Sequence, residues 1–221
     1  LNEKEIFIEF YKRGLIKTWK KDNPNGWKLL SGMWSPFYVQ FRNLPSHPDL
    51  LNQSAKLLAE KIKGKGNKLL GIAMAGIPIA TAVSLHSMLP MCYTRKNSAS
   101  YGEHSLIEGE INEGDNFIII DDVVTKFDSK LNAIKQLEEE AKKRNCGVKC
   151  ENVAVIIDRQ QGAEEAASNH GVKIHSIIKF RDNIEWLRDE MSREEYEIIV
   201  DYLVNPEKYQ DEERRRYLLK N

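Results

Sequence analysis

The sequence predicts an α/β fold, a mostly parallel central sheet with helices on both faces. Short apolar runs at residues 69–73, 90–94, 116–121, 153–157 and 172–178 read as buried strands. Helical segments separate or follow most of them, and strands alternating with helices build a parallel sheet whose ligands sit at the carboxyl ends of the strands. At 221 residues and 41% hydrophobic content, the chain is long enough for one large domain of this kind or two small ones.

The elements follow in order. Asn2 with Glu5 three residues later is a capping-box signal, opening a short helix through Ile6, Phe10 and Tyr11 that ends near Gly14. Residues 21–26 (Lys-Asp-Asn-Pro-Asn-Gly) have the composition of a turn, and the Pro-interrupted apolar stretch 27–38 reads as part of an N-terminal cover, residues 1–45. From Pro48, the residues Leu50, Leu51, Leu57, Leu58 and Ile62 keep helical spacing. Gly76 and Pro78 open the next helix after the first strand, and helices at 129–144 and 162–169 separate or follow the later strands. Residues 181–221 are rich in Glu and Arg, with Ile184, Leu187, Ile198, Ile199 and Leu203 at helical intervals, and read as a helical extension of a domain spanning 1–180. Residues 211–216 form a solvated charge run.

The 33 basic and 33 acidic side chains cancel, so no chain-wide field draws the protein to nucleic acid or an anionic membrane. Small molecules or copies of itself are the expected partners. Cys92, Cys146 and Cys150, odd in number and without metal-site spacing, predict reduced thiols in a cytoplasm. The first twenty residues hold no uninterrupted apolar segment, so neither a signal peptide nor a membrane span is expected.

The most informative stretch is Phe117-Ile118-Ile119-Ile120-Asp121-Asp122-Val123-Val124-Thr125. A β-branched run ending in two carboxylates places both acids where a strand meets its following loop. Taken alone, it fits a receiver-type signalling domain, a magnesium-dependent phosphotransfer fold, or a turn capped by Asp122.

In context, it resembles the diphosphate-sugar signature of type I phosphoribosyltransferases. That resemblance implies that Asp121 and Asp122 lie beside the ribose hydroxyls of phosphoribosyl diphosphate (PRPP), where carboxylates accept hydroxyl hydrogen bonds and favour an oxocarbenium-like transition state. Thr94-Arg95-Lys96-Asn97-Ser98-Ala99-Ser100-Tyr101-Gly102, followed by Leu106-Ile107-Glu108-Gly109, is similar to the mobile catalytic loop of orotate phosphoribosyltransferase. In that family the Arg-Lys pair neutralises the leaving diphosphate, often across a dimer interface. Tyr101 stands where His or Tyr is usual, and His104 of the same loop is either a diphosphate donor or a solvated histidine. Ser31-Gly32-Met33-Trp34-Ser35-Pro36-Phe37-Tyr38 with Arg42 looks like the family's N-terminal segment, and Tyr38 either covers a planar base or packs. Ala75-Gly76-Ile77-Pro78 matches the diphosphate-carrying loop, and Asp158-Arg159-Gln160-Gln161-Gly162 matches the motif whose arginine meets the orotate carboxylate. The resemblance covers about residues 5–180.

It implies the type I phosphoribosyltransferase fold and Mg²⁺-dependent transfer of ribose 5-phosphate from PRPP to orotate, or another pyrimidine base, by a homodimer. Arg95, Lys96, Asp121 and Asp122 would be catalytic, with Mg²⁺ carried by PRPP near the two acids and no side chain assigned as its ligand. Thr125 would meet the base or else simply start a helix, Arg159 would meet it or else be a surface arginine paired with a nearby acid, and Lys126, Asp128 and Ser129 belong to the phosphate loop.

That loop departs from the family. Phe127 stands where glycine is expected, so a loop needing positive φ would be strained or take another shape. Asp128 places a carboxylate beside a phosphate dianion, worth about 4 kcal/mol at 4 Å and an effective dielectric near 20. The favoured reading makes Asp128 the N-cap of the following helix, its carboxylate occupying the anion site. Ala99 replaces the mobile loop's second lysine, and Trp34 the lysine of the Ser-Pro segment. These departures support a second hypothesis, a non-catalytic protein of this fold that binds a nucleotide or a partner subunit. A third is a transferase for another base or donor. His86 and His175 read as core histidines.

Overall fold

A computed structural model of the chain describes residues 1–29, 32–95 and 106–219. The N-terminal segment contributes α1 (Glu3–Lys12), β1 (Ile16–Thr18), β2 (Trp27–Lys28), β3 (Trp34–Ser35) and β4 (Phe37–Val39). Then come α2 (Pro48–Ile62), β5 (Lys68–Gly71), α3 (Gly76–Ser87), β6 (Met91–Thr94) and β7 (Ile107–Glu108). β8 (Asn116–Val124), α4 (Asp128–Lys143), β9 (Lys149–Asp158), α5 (Ala163–Ser168) and β10 (Lys173–Lys179) follow, and α6 (Phe180–Asn183), α7 (Arg193–Val204) and α8 (Glu212–Leu218) come last. Two compact units result, one of Pro45–Phe180 and one of Leu1–Leu44 with Arg181–Asn221.

The larger unit is built on a six-stranded sheet of order β10-β9-β8-β5-β6-β7, parallel except for the β6–β7 pair. Every residue of β5 and most of β8 are buried, as expected of strands covered on both faces. Phe117, Ile119, Val153 and Val155 pack with Ala133, Ile134, Leu137 and Ala141 of α4, whose spacing puts them on one helix face. α2 and α3 bury Leu50, Ala55, Leu58, Ile79, Ala80 and Val83. Gly71 permits this close packing, since a Cβ there would lie 2.9 Å from that of Ala80. Lys68 is buried at the start of β5 because its ammonium reaches Asp115 at 2.6 Å and the Glu110 carbonyl at 2.9 Å.

β8 runs past the acids. Asp121 pairs with Val155 inside the ladder, Val124 with Asp158, and Arg159 N–H donates to the Val124 carbonyl at 3.0 Å. The expectation that both carboxylates sit where the strand gives way to its loop is therefore corrected: beyond the acids, Val123 and Val124 still pair with Ile157 and Asp158 of β9.

In the smaller unit, the capping box forms, with Asn2 Oδ1 accepting from Glu5 N–H and Glu5 Oε2 from Asn2 N–H. The C-terminal segment, read as an extension, shares a core with the N-terminal cover. Trp34 stacks on Tyr209 at 6.1 Å, meets the edge of Tyr202, and carries the Arg215 guanidinium 4.9 Å above its ring. Buried Glu195 of α7 accepts hydrogen bonds from Thr18 and Tyr11; burial first, and the Glu195 charge next, push the Tyr11 phenol's pKa up. Among the described residues, no helix is long and apolar enough to cross a membrane.

Candidate functional site

Most described residues singled out from the sequence lie where the parallel strands of the larger unit end. After β5, the chain turns through residues 72–75, with a cis peptide bond between Ala73 and Met74, and Ala73 N–H donates to Thr94 Oγ1 of β6 at 2.9 Å. Half-buried Ala75 leads into α3, and Gly76 lies flat against β8. A Cβ at Gly76 would stand 2.5 Å from the Ile120 carbonyl and 3.2 Å from Asp121 Oδ1, so only glycine fits. After β6, Arg95 pairs with Glu108 of β7 at 2.6 Å, tying together the two stems of the predicted catalytic loop. Lys96, Ala99, Tyr101 and His104 lie outside the described residues.

The two acids differ in environment. Asp121 is buried, its Oδ2 lying 2.8 Å from Lys130 Nζ and its Oδ1 accepting Asp122 N–H at 2.9 Å. Asp122 is half-buried and accepts Val123 N–H at 2.8 Å. Desolvation chiefly, and the neighbouring Asp121 charge next, push the Asp122 carboxyl up to about 7, against the pull of Lys130. Lys130 escaped the sequence reading. A lysine three residues into an amphipathic helix looks like surface, and only β8 packing beneath α4 reveals its partner.

The loop from Thr125 to Ser129 resolves the departures noted above. Phe127, not Asp128, precedes α4 as its cap residue, at φ +78°, the left-handed backbone that glycine would adopt there. Its ring is only 3% exposed and belongs to the α4 core. Burial of the aromatic group stabilises a backbone shape that its Cβ disfavours. Asp128 opens the helix, is exposed, and makes no side-chain cap hydrogen bond. The expected N-cap role of Asp128 is thus corrected: the turn at Phe127 places residue 128 inside the helix, where its side chain leaves the N-terminal N–H groups uncapped. Lys126 and Ser129 are exposed, and Thr125 is half-buried.

At the end of β9, Asp158 accepts Gln160 N–H at 2.7 Å, and Arg159 is buried, 6% exposed. Gly162 at φ +99° turns the chain into α5. Tyr38 lies in the smaller unit, where it stacks on Trp27 at 5.9 Å and accepts from Arg42 Nη2 at 3.1 Å. Trp34 is a packing residue of that same unit. His86 is exposed and bonds Asn52 at 2.8 Å, so its expected core position is corrected; it lies on the solvent side of α3. His175 is half-buried against Asn152 at 2.9 Å, and burial lowers its pKa.

No family model matches the chain. It is 33% identical over 154 residues to the orotate phosphoribosyltransferase of Methanocaldococcus jannaschii, covering 70% of this chain and 84% of that one. Identity to the orotate phosphoribosyltransferase of Pyrobaculum aerophilum is 34% over 178 residues, covering 80% and 89%. The crystal structure of orotate phosphoribosyltransferase from Aeropyrum pernix matches with a TM-score of 0.68 at 25% identity, over 81% of this chain and 96% of that one.

Proposed function

This chain belongs to the orotate phosphoribosyltransferase family, and on that footing we propose that it transfers ribose 5-phosphate from PRPP to orotate. The products are orotidine 5′-monophosphate and diphosphate, a step of pyrimidine nucleotide synthesis. The observation that carries the reading is the backbone at Phe127. The left-handed turn expected of a glycine is present despite the phenylalanine, and the Asp128 side chain does not cap the helix start.

In this reading, the N–H groups at the start of α4 take the 5′-phosphate, with Ser129 and Lys126 beside them. Asp122 accepts a ribose hydroxyl, and its charge favours the oxocarbenium-like ribosyl group. Arg95, exchanging Glu108 for substrate, and Lys96 neutralise the departing diphosphate; Thr125 and Arg159 meet the base. Mg²⁺ enters on the diphosphate of PRPP, where it offsets negative charge. The donor set suits a substrate-borne ion, since one Asp121 oxygen is committed to Lys130.

A homodimer in a reducing cytoplasm completes the proposal. Supporting it, Met74, Leu85, Met88 and Tyr93 are exposed apolar side chains on α3 and around it, and the three cysteines are free. Steady-state assay of orotate with PRPP and Mg²⁺ tests the function, and an absence of turnover at high protein concentration rejects it. The competing non-catalytic reading draws on the Arg95–Glu108 pair, which engages the cation meant for diphosphate, and on the Lys130–Asp121 pair, which occupies one of the two acids of the motif. It predicts negligible heat of PRPP binding.

A further inference from the structure

The first turn of α4 carries a buried cation to which the transfer reaction assigns no task. Lys130 is 3% exposed, and its Nζ bridges Asp121 Oδ2 at 2.8 Å, the Val123 carbonyl and Ser129 Oγ at 3.3 Å. A lysine is buried in this way only when its charge is paired and its protons are bonded. The partner is equally confined. Asp121 Oδ1 accepts Asp122 N–H, and the flat approach of Gly76 closes the space beside that oxygen. Asp122, one residue on, keeps part of its surface.

We propose that Lys130 is a positioning residue of the transfer site, holding the Asp121 carboxylate in a sequestered pair so that Asp122 is the acid offered to the ribose. The inference rests on the transferase reading. A carboxylate with one oxygen on an ammonium and the other on an N–H has little capacity left for a ribose hydroxyl. The remaining influence of Asp121 is its charge, which disfavours ionisation of Asp122, while Lys130 favours it. These are the two charged groups that act on Asp122 among the described residues. α3 presents Gly76, β5 ends in apolar residues and Gly71, and on β9 the charged Asp158 and Arg159 stand opposite and beyond Val124.

The test combines two readouts on Lys130→Met, Lys130→Arg, Asp122→Asn and the double variant Lys130→Met/Asp121→Asn. One is carboxyl-carbon NMR titration of Asp122 in protein labelled at aspartate; the other is the pH profile of kcat/KM for PRPP. Loss of the cation in Lys130→Met raises the Asp122 titration by about one pH unit or more, because a neighbouring opposite charge favours the ionised form. The rising limb of kcat/KM moves to higher pH with it, and Lys130→Arg restores both. The double variant, which removes the buried charge pair together and so guards against misfolding, turns over about ten times or more faster than Asp122→Asn, whose loss is about a hundredfold. An unmoved titration in Lys130→Met, or a double variant as slow as Asp122→Asn, overturns the proposal. Absence of turnover in the parent protein would instead remove the transferase reading, and the titration would still decide whether Lys130 controls Asp122.

Discussion

Phe127 should rank glycine above alanine, the reverse of the usual order near a helix. Its side chain is 3% exposed within the α4 core, and truncation of a buried phenylalanine costs about 3–5 kcal/mol. At φ +78°, any side chain also pays a left-handed penalty of about 1–2 kcal/mol that glycine does not. Phe127→Ala loses the ring and keeps the penalty, so it falls by the full truncation cost. Phe127→Gly recovers the penalty and is more stable than the alanine variant by about 1 kcal/mol, offset in part by the greater freedom of glycine in the unfolded chain. Urea denaturation followed by far-ultraviolet ellipticity measures the difference. Tryptophan emission is the wrong probe, because Trp19, Trp27, Trp34 and Trp186 all belong to the other unit. If the alanine variant equals or exceeds the glycine variant, the left-handed turn is not what the buried ring maintains, and the case for a preserved phosphate cradle fails with it.

Three further outcomes follow from the same geometry. Asp128→Gly should lower KM for PRPP with a smaller change in kcat, by about tenfold rather than the thousandfold of a desolvated pair, since Asp128 is exposed; an unchanged KM at low salt would mean the 5′-phosphate binds elsewhere. Lys68→Met strands the buried Asp115 carboxylate and should destabilise the larger unit by about 3–5 kcal/mol in urea melts, with Asp115→Asn added to the variant recovering part of the loss. The Asp122 carboxyl, raised from 3.8 to about 7, binds its proton more tightly in the folded than in the unfolded chain. Its contribution therefore weakens folding progressively as pH rises from about 4 to 7 and levels off above, and Asp122→Asn should flatten that slope in melts across the range.

How much of this was legible in the sequence depends on the distance over which each feature is specified. Runs such as 116–121 and 153–157 were readable because strands buried on both faces need apolar residues at nearly every position, and a run records that locally. The end of β8 was not, since Val123 and Val124 are held in the ladder by β9 rather than by their own side chains. The Glu and Arg composition of 181–221 announced helices, yet nothing in it announced Trp34 as a core partner, because that contact joins residues far apart in the chain.

Phe127 and Lys130 carry the lesson furthest, since each misleads when judged by residue type alone. A phenylalanine at a glycine position implies a broken loop only if backbone preference decides the conformation. Here, burying an aromatic ring outweighs a left-handed penalty of about 1–2 kcal/mol, so the turn survives the substitution. A lysine at a helix start implies solvent only if nothing beneath the helix needs a cation. β8 places the Asp121 carboxylate there, and the ammonium is drawn under the helix to meet it. In both cases, packing rather than residue type decides the local conformation. The question for the chemistry therefore moves from whether the loop exists to which of the two acids beneath it faces the substrate.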